Sequence, residues 1–199
     1  MSAYPDVFSA CAQMAGVRKG AQHGGAMGTA SNKDTNLEKV SENLVNFSVD
    51  RDDLNRIMAM LPEDENVNRV TVEYEIPLLK IVSVGWAIAY FMENRPEKKA
   101  LLESFWQAID EFSRSLSDVT NLTTGAEINY FHMIKERVDT YVQALNLQPD
   151  AQDPAAVIGP TFANICNAAD NVHVIMTGNR VFNAAIIGVK EYLSHVNFI

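Results

Sequence analysis

The stretch that decides the fold is Ile76–Met92, IPLLKIVSVGWAIAYFM, seventeen residues with a single charge, Lys80. It reads either as a membrane span or as the central helix of a helical domain. A spanning helix needs about 20 consecutive apolar residues. This run is shorter, with Glu73 and Glu75 before it and Glu93 and Arg95 after it rather than a cationic flank. Its least apolar residues, Lys80, Ser83, Ala87, Tyr90 and Asn94, recur every three or four positions and so make one narrow stripe on a helix. A helix facing lipid on all sides has no use for such a stripe, whereas a helix ringed by others has one. Gly85 and the alanines leave room for close approach of a neighbour. The expectation is a buried core helix, and no membrane span.

Just upstream, VTVEYEI (Val70 to Ile76) alternates apolar and polar residues in the manner of a strand. No second segment offers it a partner, and a lone strand leaves its backbone groups unpaired. The helix is therefore read back to Asn68, giving a kinked apolar central helix near 69–93, the kink at Pro77.

On both sides the apolar period is helical. Leu37, Val40, Leu44 and Phe47 share a face, and so do Leu54, Ile57, Met58 and Leu61 after a cap at Ser48 or Asp50. Pro62 stops the second. Downstream, Leu102, Phe105, Ile109, Phe112, Leu116 and Val119 form a long seam. Thr124 and Glu127 have capping-box spacing ahead of a helix burying Ile128, Phe131, Val138, Val142 and Leu145. Pro160 is expected to open a further helix that ends at Gly178, with Asn179 capping the last. Long helices joined by short polar loops predict an all-α, antiparallel bundle of six or seven helices. Residues 36–199 are read as this single domain. A short amphipathic segment at 1–16, with Val7, Phe8, Cys11, Met14 and Ala15 at helical spacing, precedes it across a glycine-rich linker at 17–35.

The net charge is −9, and Lys33 to Glu75 holds eleven acidic against five basic residues. A negative surface without Lys/Arg clusters opposes nucleic acid and anionic lipid, so neither is expected as a partner. Cys11 and Cys166 lack metal or redox spacing and are read as reduced thiols. With no basic n-region before an apolar run at the N-terminus, the expected compartment is the cytoplasm.

No nucleophile elbow, phosphate loop or other catalytic motif is present. The leading expectation is a non-enzymatic protein acting through a protein partner or self-association, presenting the aromatic seam around Phe105, Trp106 and Phe112. No cofactor belongs to that reading. Two alternatives rest on specific residues. His132 and Glu136, on one helix edge, and Asp170 and His173, on another, have spacings that suit carboxylate–imidazole binding of Fe, Mn or Zn in a bundle. Lys80, Ser83 and Tyr90 are polar points beside a central apolar helix, the form of a small-molecule pocket.

Overall fold

A computed structural model describes residues 32–199, with side chains from Asn36 onward. The 1–16 segment and the greater part of the 17–35 linker lie outside the described residues. These fold into seven helices and no strand: α1 Asn32–Val49, α2 Arg51–Met60, α3 Arg69–Phe91, α4 Lys98–Thr124, α5 Tyr130–Leu147, α6 Ala155–Ile165 and α7 Val172–His195. The bundle is built around α3.

The alternation at 70–76 belongs to α3, as expected. Asn68 caps it by accepting a hydrogen bond from the Thr71 N–H at 3.2 Å. Every residue from Leu78 to Ala89 is buried, because α1, α2, α4, α5, α6 and α7 all pack against this helix. By length and composition α3 and α7 are each apolar enough to cross a bilayer, but 78% of the α3 window is buried inside the protein. Its two buried charged groups also have protein partners. Lys80 Nζ donates to Asp53 Oδ2 of α2 at 2.8 Å, and Glu75 takes a bidentate pair of bonds from Arg137 of α5 at 2.6 and 2.7 Å. A lipid-facing helix would leave such charges unmatched at prohibitive cost.

Asp50 opens α2 by accepting from the Asp52 N–H at 2.9 Å, as its position after Val49 implies. Three boundaries differ from expectation. Thr124 does not cap α5: it is the last residue of α4, its hydroxyl donating to the Thr120 carbonyl. Gly125 then turns the chain in the left-handed region, φ 72°, and Asn129 caps α5 instead. Pro160 lies inside α6, which opens at Ala155 with the Asp153 carboxylate accepting its N–H. Gly178 does not end a helix, because α7 starts earlier, from the Asn171 cap, and runs through it.

Packing explains that last difference. A Cβ on Gly178 would sit 2.8 Å from the Phe162 side chain, and one on Gly159 would meet the Ile175 carbonyl at the same distance. Two glycines, one on each helix, let α6 and α7 cross with backbones close together. A helix terminator and a contact glycine read alike in sequence.

Candidate functional site

The expected seam of α4 divides midway. Leu102, Phe105 and Ile109 are fully buried, whereas Phe112, Leu116 and Val119 are 42%, 39% and 56% exposed. The same three- and four-residue period thus runs out of the core onto the surface. The inner face of the distal half is lined by hydroxyls rather than hydrocarbon. Ser113 is buried, the Ser117 hydroxyl bonds to the Ser113 carbonyl, and Thr120 Oγ1 lies 3.3 Å from the Tyr130 hydroxyl of α5.

Beside this stripe lies a half-open cavity of about 690 Å³ between α3, α4, α5 and the α1–α2 junction. Its floor is apolar: Leu54 of α2, Leu78 and Ile81 of α3, and Ile134 of α5. Phe112 and Leu116 form one wall, with Tyr74 and Pro77 of α3 among the other lining residues. The mouth carries three charged side chains, Asp50, Arg51 and Glu73, all exposed. Pro77 matters here for its backbone. It has no N–H to give the carbonyl of Glu73, one turn back, and both residues line the cavity.

Tyr74 gives the cavity its main polar anchor. Its hydroxyl contacts Met133 Sδ at 2.9 Å, and burial, with the nearby Tyr130 and Glu75, pushes its pKa up to about 12. Glu75 itself is buried and faces away into the Arg137 pair, whose guanidinium is held even more firmly protonated by that contact. Cys166 is a buried free thiol, also pushed up to about 12 by burial. A thiol so placed is a poor nucleophile.

The residues expected to carry function are distributed differently. Phe105 and Trp106 are core, 0% and 3% exposed, and meet edge to face with ring centroids 5.2 Å apart. Trp106 lies over Gly85, where a Cβ would come within 2.5 Å of its ring. Burial against α3 removes them from the proposed interaction surface, and only Phe112 of the three is accessible. Lys80, Ser83 and Tyr90 do not line the cavity. Lys80 pairs with Asp53 and lies 4.5 Å from the Phe47 ring centroid, Ser83 bonds back to the Leu79 carbonyl, and Tyr90 stacks on Trp86 at 4.9 Å. Lys80 and Ser83 thus sit against neighbouring helices, whereas Tyr90 is half-buried and lines a separate pocket with Phe91, Glu93 and Arg95.

His132 and Glu136 approach to 3.3 Å on the exposed face of α5. Asp170 and His173 flank Asn171, the cap of α7, and are also exposed. The four do not form one centre: among the described residues no three His, Cys, Asp or Glu groups are placed to share a metal ion.

Of the cavity residues, the sequence marks Leu54, Phe112 and Leu116 as positions on apolar helix faces, and nothing marks the lining as a set. No protein-family model matches this chain, and no curated protein or solved structure is similar to it.

Proposed function

We propose that this chain is a non-enzymatic, cytoplasmic helical-bundle protein that works by seating a protein partner in the groove between α3, α4 and α5. The observation that carries this reading is the continuity of the groove with the exposed Phe112–Leu116–Val119 stripe. An apolar surface of this form, rimmed by polar side chains, is the usual mark of an interaction site. Helix-in-groove recognition uses such geometry, with anchors at i, i+3 or i+4 and i+7. The groove spans Val70 to Ile81 along α3, roughly 16 Å at 1.5 Å per residue, which matches about three turns of a partner helix.

The test places a photo-crosslinking side chain at Leu116 and, as a control, at Leu147, an equally apolar and more exposed position. Crosslinking in cells to one discrete protein from position 116 but not 147 is the expected result. Equal, diffuse adducts from both positions would sink the proposal.

A second reading, a small apolar ligand, is favoured by the cavity itself. Its volume lies within the ~300–1,000 Å³ typical of ligand pockets, and Tyr74 and Tyr130 are among its lining residues. Under that reading Ile134→Trp fills the pocket and abolishes uptake of an environment-sensitive apolar dye. Under the protein-partner reading the dye is bound weakly by the native chain and the variant alike.

A further inference from the structure

We infer that the occupant of the groove is an amphipathic helix of another protein bearing a Lys or Arg beside its apolar face, and not a second copy of this chain. The inference rests on the groove reading above and adds the chemistry of the partner. Two independent features of the site set the sign. Glu73 is exposed at the mouth with no cation bound to it among the described residues, and Pro77 leaves the Glu73 carbonyl without its helical donor. A donor-bearing cation placed there meets the Glu73 carboxylate, a charge-assisted contact and the stronger form of hydrogen bond. Asp50 adds a second carboxylate, one oxygen of which caps α2. Arg51 is the one cation lining the mouth, and it leaves a place for an acid further along the partner.

The surroundings argue against self-association. Asp110, Asp118 and Glu127 gather on the far side of the α4–α5 corner, with Arg114 committed to Asp110. With the net charge of −9 and two carboxylates, Asp50 and Glu73, against one arginine at the mouth, pairing two copies brings like charge to like charge, whereas a cationic helix is steered toward the groove.

The experiment uses the full chain and two synthetic 16-residue amphipathic peptides. Both carry leucine at i, i+3, i+4 and i+7 positions, with lysine on the remaining surface of one and glutamate on the other. Binding is followed by fluorescence anisotropy at about 0.15 M salt, where long-range steering is largely screened. The lysine peptide is expected to bind at least ten-fold more tightly. Leu116→Asp is expected to abolish that binding, and Glu73→Gln to weaken it by roughly two- to five-fold. Glu136→Gln, a distant charge control, leaves it unchanged.

Equal binding of the two peptides, each lost in Leu116→Asp, overturns the charge assignment and leaves the groove reading standing. Lysine-peptide binding that survives both Leu116→Asp and Phe112→Asp is adhesion to an acidic surface and overturns the inference. Binding of neither peptide overturns both. Sedimentation of the free chain as a dimer that Leu116→Asp dissociates replaces the foreign helix by a second copy.

Discussion

Lys80 Nζ lies 2.8 Å from Asp53 Oδ2 and 4.5 Å from the centre of the Phe47 ring, so the one cation within the buried Leu78–Ala89 run of the central helix is held by α1 and α2 together. The lysine side chain is 7% exposed and the aspartate 29%, which makes their removal asymmetric. Asp53→Asn strands a buried ammonium and is expected to cost about 2–3 kcal/mol, less than a fully buried pair because Asp53 is partly wet. Replacing both, as Lys80→Met with Asp53→Leu, is expected to recover most of that loss. Urea unfolding of the two variants checks it.

The same pair predicts an acid response. The Lys80 hydrogen bond, with a further contribution from Arg56, holds the Asp53 carboxyl below its usual 3.8 against the opposing effect of burial. A carboxyl lowered in the folded state adds stability above its unfolded value, and that stability is lost as pH falls through the folded value. Stability measured from pH 6 downward is therefore expected to fall more shallowly below about pH 4 in Asp53→Asn than in the native chain. Identical slopes would remove Asp53 from the acid response.

At high pH the sign reverses for Tyr74. Its phenol is pushed from 10.0 to about 12 in the fold, so its contribution is complete below pH 10 and declines as pH rises toward 12. Ultraviolet titration should show one late tyrosine beside Tyr141, which burial also raises. Tyr74→Phe is expected to remove the Tyr74 part. In the native state the Cys166 thiol should resist alkylation at pH 8 and react on unfolding.

Gly85 and Gly178 both sit inside helices, where alanine is intrinsically better by about 1 kcal/mol. Both are contact glycines, under Trp106 and Phe162. Alanine at either site is expected to destabilise by about 1–3 kcal/mol, the cost of overpacking. A Gly178→Ala variant that gained stability would show that α6 and α7 can separate without loss.

Surface character separates the two halves of the α4 seam. Leu102→Asp places a charge in a fully buried site and is expected to prevent folding, whereas Leu116→Asp, at a partly exposed site, is expected to cost about 1–2 kcal/mol and leave the chain folded in thermal melts. The contrast matters because Leu116→Asp then reports on binding rather than on stability.

Much of the bundle was readable from periodicity and caps. The strand-like VTVEYEI resolved correctly once a strand was seen to lack a pairing partner, a question of hydrogen bonds rather than propensity. Of the two cap candidates Ser48 and Asp50, Asp50 caps α2, and the helix read back to Asn68 is capped there. Gly178 and Pro160 misled because both residue types break helices in isolation, and only the neighbouring helix shows that they need not. Function was less legible. The spacing of Lys80, Ser83 and Tyr90 places them on one face of α3, but whether Lys80 meets a ligand or an aspartate depends on a residue 27 positions away. Phe105 and Phe112 belong to one seam in sequence, yet Phe105 is fully buried while Phe112 lines the half-open cavity beside α3, a difference set by tertiary packing.

The hydroxyl-lined distal half of α4 has a dynamic consequence. Ser117, Thr120, Thr123 and Thr124 each donate their hydroxyl to a backbone carbonyl earlier in the helix, and few apolar contacts hold these turns to the body. Opening there costs far less than unfolding the core, so amide exchange along this one helix should be graded: slow through Ile109, rapid beyond Leu116. Whatever settles against Phe112 and Leu116 closes that gradient, and the helix end becomes a built-in reporter of occupancy.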